Sequence, residues 1–226
     1  VAQNKAGFTT FLQEKGNGAL KKTFLRFRIP AFFAGAYDDR LAEGSWERTM
    51  TAQRVVMVVD MQNGVFATPR LARERCVAQI NRLVRAADKV IFIQHDEAGG
   101  LEAGSEGFAL LPELEQPAGA LYVTKTACDA FYHTSLAQVL DEHDIQQFVI
   151  CGCATDYCLD TTIKNGASRG YGIVIAEDAH TTADRPAAQA ATLIAHYNEV
   201  WRTLTIPGNP LQVKPTETIL HAWQQN

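Results

Sequence analysis

Val55-Val56-Met57-Val58-Val59, followed at once by Asp60-Met61-Gln62-Asn63, is the stretch that decides the fold of this chain. Five apolar residues in a row, four of them β-branched and none alternating with a polar one, describe a strand buried on both faces. A strand is covered that way when helices lie on each side of a parallel sheet, so the flanking sequence should supply helices and more such strands. Apolar positions Ala72, Cys76, Ile80, Leu83, Val84 and Ala87 recur at helical spacing, which predicts a helix over 72–87. Val90–Ile93 is the next strand. A Gly-rich polar loop then runs through Gly107 before the strand Ala120–Val123. A helix over about 133–142 leads to the strand Phe148–Cys151, and one over about 156–169 leads to the strand Gly172–Ala176. A helix over about 186–198 precedes a final strand within 200–206. This alternation predicts right-handed βαβ units. The expected fold is α/β: a three-layer α/β/α domain with a mainly parallel, roughly six-stranded sheet of Rossmann-like topology.

Composition agrees with a globular body and removes several classes of function. Of 226 residues 46% are hydrophobic and 20% charged, enough to bury a core. A net charge of −4 gives no basic surface for nucleic acid. No apolar run approaches the ~20 residues of a membrane helix. Five cysteines, an odd number in a chain of this length, do not suit a disulfide-stapled secreted fold. The expectation is a cytoplasmic protein.

Residues 1–49 read differently. They hold eight Lys/Arg against five Asp/Glu, leaving −7 for the remainder, and they scatter Gly7, Gly16, Gly18, Gly35 and Gly44 without a period of 2 or 3.6. The basic residues before Ile29–Ala36 faintly suggest a signal peptide, but the apolar part is short and contains Pro30. The reading is an N-terminal extension over 1–49, loosely ordered or in contact with another subunit, and one domain over 50–226.

In parallel sheets of this type the chemistry gathers at the carboxyl ends of the strands. Asp60 ends the first strand, His95 and Asp96 the second, and Lys125 the third; Gly152–Cys158 follows the fourth, and Glu177-Asp178 ends the fifth. Each residue alone has an ordinary explanation as a cap, an ion-pair partner or core packing. Together they bring a carboxylate, an ammonium and a thiol to one edge. Thr155 is placed to cap a helix starting at Asp156, with Cys158 in the first turn. There the helix N-terminus and Lys125 would favour a thiolate, and Asp60 could take the thiol proton and return it. A zinc site from Cys151, Cys153 and Cys158 is disfavoured because the chain has no paired Cys-x-x-Cys. No Gly-x-Gly-x-x-Gly follows Val59, which speaks against a dinucleotide-binding dehydrogenase.

The order Asp60-x-Gln62-Asn63, then Lys125, then Gly152-x-x-Thr155-Asp156-x-Cys158 resembles the isochorismatase-like cysteine hydrolases, from about Thr51 to beyond Asp178. The resemblance implies a catalytic triad of Asp60, Lys125 and Cys158. It also implies a non-proline cis peptide between Cys153 and Ala154, and an oxyanion site made by the Ala154 and Cys158 N–H groups. It implies assembly into dimers or larger oligomers, with a small molecule as substrate and neither nucleic acid nor membrane as partner. Nicotinamidases of this family hold a divalent metal through an Asp-x-His pair and a later His. His95 is the only histidine here between Asp60 and Lys125, so no metal and no other cofactor is expected. Candidate substrate contacts are Gln62, His95, Phe131, Tyr132 and Tyr157; Gln62 has a structural alternative as a loop brace, His95 as a strand-end partner, and Phe131 and Tyr132 as core.

Three functions remain open at this point. The first is hydrolysis of a C–N bond in an amide, lactam, ureide or carbamoyl compound through a thioester. The second is vinyl-ether hydrolysis of isochorismatase type, in which an Asp protonates the substrate and the Cys need not attack. The third is an idle binding subunit. Cys158 beside Lys125 favours the first.

Overall fold

The computed structural model describes residues 53–225, so the extension predicted for 1–49 lies outside the described residues. Six strands, β1 Val55–Val59, β2 Lys89–His95, β3 Leu121–Lys125, β4 Gln147–Cys153, β5 Gly172–Thr181 and β6 Gln212–Lys214, form one sheet in the order β3-β2-β1-β4-β5-β6. Every pairing is parallel. Five α-helices connect or follow them: α1 Arg73–Ala86, α2 Leu136–Glu142, α3 Asp160–Ser168, α4 Ala190–Thr203 and α5 Thr216–Gln224.

β1 shows why its sequence has no polar alternation. Val56 and Val58 pack on one face of the sheet, with Ile80 and Leu83 of α1 and Ile219 and Trp223 of α5. Val55, Met57 and Val59 pack on the other, with Leu140 of α2, Ile163 of α3 and Trp201 of α4. Both residues of each pleat are therefore removed from water. The chain leaves β1 toward one face and β4 toward the other, which opens a crevice at the carboxyl ends of these two neighbouring strands.

Three expectations need correction. Residues 200–203 finish α4 rather than begin a strand: Trp201 is fully buried one turn beyond Tyr197, its ring 5.8 Å away, and donates from Nε1 to Asp160 at 2.9 Å. The sixth strand is the short 212–214, where only Val213 is buried, too little for a period to show; α5 follows it and was not foreseen. β5 does not stop at Ala176 but runs to Thr181, and Asp178 instead accepts the N–H and hydroxyl of Thr216, at 2.8 and 2.6 Å, at the start of α5.

Candidate active site

Gly152 brings the ends of β1 and β4 together. Its φ of +121° suits only glycine, and a Cβ there would lie 2.2 Å from the Val59 carbonyl oxygen. The register between β4 and β5 shifts at this point, between Ile150 and Gly152. A cis peptide joins Cys153 to Ala154. The chain then enters one π-helical turn, Thr155–Leu159, ahead of α3. The residue capping that turn is Ala154, not Thr155. Thr155 is buried, and its hydroxyl faces His180 Nδ1 at 2.9 Å, a partner that competes with the expected cap. The Ala154 carbonyl accepts from Tyr157 and Leu159 and passes over Cys158 between them.

Across the crevice, Asp60 follows β1 with φ +50°, a left-handed conformation that Asp tolerates better than most residues. Lys125 ends β3, 1% exposed, with its ammonium among three acceptors: Asp60 Oδ2 at 2.8 Å, His95 Nδ1 at 2.7 Å and Cys158 Sγ at 3.3 Å. Three N–H bonds meet three partners, which satisfies a buried ammonium completely. Burial alone would pull Lys125 down; Asp60 and Cys158 outweigh it and hold the ammonium above the ordinary lysine range. Since His95 Nδ1 accepts, its proton belongs on Nε2, 3.4 Å from Glu97 Oε2. Asp60 Oδ1 is buried without a hydrogen-bond partner, so one carboxylate oxygen is open to a proton.

Cys158 departs from the expected lowered pKa. Burial and the Asp60 carboxylate push the thiol well above its ordinary range, against the opposing pull of Lys125. Cys76 and Cys151 are pushed up by burial as well, and Cys153 to about 12. All five cysteines are unpaired. Asp60, His95 and Cys158 offer ligand atoms within 4.8 Å of one another, the one metal-like cluster among the described residues. The Lys125 ammonium contacts all three, so a cation already answers that donor set. A metal there would have to displace it.

These groups open into a cavity of about 240 Å³, lined by Asp60, His95, Ala154, Tyr157 and Cys158, together with Val65, Arg70, Glu97, Leu101, Cys128 and Arg185. A depression at the opposite edge of the sheet, around Val55 and Phe148, holds about 20 Å³ and no titratable group of this cluster. Of the five candidate substrate contacts, His95 and Tyr157 reach the cavity. Gln62 does not. It is fully buried, donates to the carbonyls of His95 and Phe108, both at 3.0 Å, and accepts the His95 N–H at 2.7 Å, bracing the loop after β1. Phe131 is core, stacked on Tyr171 at 5.5 Å, and Tyr132 is 57% exposed outside the cavity wall. Arg70, Glu97, Cys128 and Arg185 were missed because they sit in loops with no period, although Arg185 lies shortly before Pro186 in a segment whose charges invite inspection.

An isochorismatase domain matches residues 54–203 of this chain. The chain belongs to the isochorismatase family. A secreted isochorismatase effector of Verticillium dahliae is 28% identical over 154 residues, 64% of this chain and 80% of that protein. A streptothricin hydrolase of Streptomyces noursei is 31% identical over 143 residues, 60% of this chain but only 52% of that protein. A ureidoacrylate amidohydrolase of Serratia proteamaculans is 28% identical over 184 residues, covering 62% and 74%. Among solved structures, an isochorismatase family protein superposes with a TM-score of 0.65 at 27% identity over 71% of this chain and 97% of its own. Two of these relatives are hydrolases by name, and the third is named as a secreted effector. Among the described residues no helix is long and apolar enough to cross a membrane.

Proposed function

We propose that this isochorismatase-family protein hydrolyses a C–N bond in a small amide, lactam, ureide or carbamoyl compound, through a thioester on Cys158. The observation that carries the reading is the buried Lys125 ammonium bridging Asp60 Oδ2 and Cys158 Sγ, two residues that both line the cavity. As Sγ attacks the substrate carbonyl carbon, its proton passes to Asp60, whose Oδ1 has no other partner. The carbonyl π pair moves to oxygen, and that oxyanion is met by the Ala154 and Cys158 N–H groups. Asp60 then protonates the leaving nitrogen, the C–N bond breaks and the amine or ammonia departs. Water, losing its proton to Asp60, attacks the thioester; the C–S bond breaks and the proton returns to sulfur. Lys125 keeps its proton throughout and holds carboxylate and sulfur in register while charge moves between them. A thiol raised by burial suits this sequence, because the thiolate forms only when attack supplies its stabilisation. The names of the hydrolase relatives support the bond type. A reducing, cytoplasmic compartment suits a chain whose five cysteines are all unpaired.

The test is turnover of an amide and ureide panel by the wild type, Cys158→Ala and Asp60→Asn, each with and without a chelator. Cys158→Ala should lose about three orders of magnitude or more in kcat, and the chelator should change nothing. Activity that survives in Cys158→Ala but not in Asp60→Asn would replace this mechanism with vinyl-ether-type acid catalysis. Loss with the chelator, restored by added metal, would mean that a metal displaces Lys125.

A further inference from the structure

Among the charged residues lining the cavity, one cation has no carboxylate beside it. Asp60 is paired with Lys125. Arg185 is matched by Asp156, its Nε 2.8 Å from Oδ2 and its Nη2 3.1 Å from Oδ1, and its guanidinium lies 4.7 Å from the centre of the Tyr157 ring. Arg70 has no such partner. Its Nε and Nη2 both donate to one uncharged acceptor, the Val65 carbonyl, at 3.0 and 2.7 Å. Among the described residues no carboxylate pairs with it. Those two bonds fix the plane of the guanidinium, and the remaining N–H groups are left for something else. Arg70 is half-buried and lines the same cavity as Cys158. A guanidinium held by its own backbone, partly desolvated and lacking a counter-ion is prepared to receive an anion, and its planar fork matches a carboxylate. The cavity's other acid is Glu97, whose Oε2 lies 3.4 Å from His95 Nε2 and whose side chain is largely exposed. It would repel an anion from the His95 wall and leave Arg70 as the only favourable end.

We infer that the substrate carries a carboxylate, or an equivalent anionic oxygen group, received by Arg70 while its scissile carbonyl lies at Cys158. The inference rests on the reading of this cavity as the substrate site. It adds a specificity-determining residue and narrows the substrate from any small C–N compound to an anionic one, such as a ureido or acylamino acid.

The test separates binding from turnover. Affinities of 3-ureidopropionate and of its uncharged alcohol analogue, 3-ureidopropan-1-ol, are measured by calorimetry on the full chain carrying Cys158→Ser, alone and combined with Arg70→Gln or Arg70→Lys. The acid should bind at least tenfold more tightly than the alcohol. Arg70→Gln should bring that ratio to about one, and Arg70→Lys, which keeps the charge without the fork, should retain part of it. Equal affinities in the Arg70 protein, a ratio unchanged by Arg70→Gln, or no binding of the acid at millimolar concentration would overturn the inference. Turnover by the chain with Cys158 intact addresses the other reading separately. Arg70-dependent binding without hydrolysis of any amide or ureide would leave the anion site standing and remove the reaction.

Discussion

Lys125 is enclosed by Asp60, His95 and Cys158, and its position makes the two other members of the proposed triad electrically dependent on each other. The Asp60 charge raises the Cys158 thiol and the Lys125 charge lowers it. Removing each should therefore move thiol reactivity in opposite directions. In Asp60→Asn the profile of Cys158 alkylation against pH should shift to lower pH, with faster modification at pH 7; in Lys125→Met it should shift to higher pH. Iodoacetamide treatment with peptide mapping measures both, and Cys76, Cys151 and Cys153, all buried, serve as slow internal references. An Asp60→Asn profile that moved to higher pH would show that the carboxylate does not govern this thiol. The residues of this cluster were legible in the sequence because each directly follows or ends a strand, or enters the first turn of a helix, and parallel sheets collect chemistry there. The direction of the Cys158 shift was not legible, since it depends on how deeply the thiol is buried. Arg70 was not legible either. Its meaning lies in the lack of an acidic partner among the described residues, and that is a property of three dimensions.

At the scale of elements, the π-helical turn after β4 is held by a buried polar chain that no motif announced. His180 on β5 lies between Thr155 of the turn, 2.9 Å from Nδ1, and Asn198 of α4, 3.0 Å from Nε2. With Nε2–H donating to the Asn198 carbonyl oxygen and Nδ1 accepting from the Thr155 hydroxyl, the ring must be neutral. Burial correspondingly lowers its pKa to about 4 from an ordinary 6.5. Between these values the unfolded chain binds a proton that the folded one refuses. The stabilisation is therefore whole above pH 6.5, falls as pH drops, and is exhausted near pH 4, a change of roughly 3 kcal/mol. Denaturation followed from pH 7.5 to 4 should show that slope, and His180→Gln should flatten it at some cost in stability at pH 7.5. An identical slope in the variant would assign the acid sensitivity elsewhere. The strands of the sheet centre were readable because burial on both faces leaves continuous β-branched runs. The π turn, the three-residue β6 and the handover from α4 were not, because their placement comes from Gly152 meeting Val59 and from Trp201 and Val213 finding the core, contacts between segments far apart in the chain.

For the whole molecule, the domain read from the sequence over 50–226 stands as a proposal that a shorter chain tests; the family match runs over residues 54–203. A chain beginning at Met50 should therefore fold with nearly the melting temperature of the full chain and keep its hydrolytic activity, while a change in oligomer size on sedimentation would assign the first 49 residues to subunit contact. Failure of the shorter chain to fold would make those residues part of the domain. The central claim, that sulfur becomes acylated, concerns the whole reaction and is most directly tested by mass. The protein is acid-quenched during steady-state turnover of an accepted amide, then mapped by peptide mass spectrometry. The expected result is a transient increment on Cys158 equal to the substrate's acyl portion, absent from the other four cysteines and gone once substrate is exhausted. Sustained turnover with an unmodified Cys158 at every quench time, and with activity retained in Cys158→Ala, would contradict it.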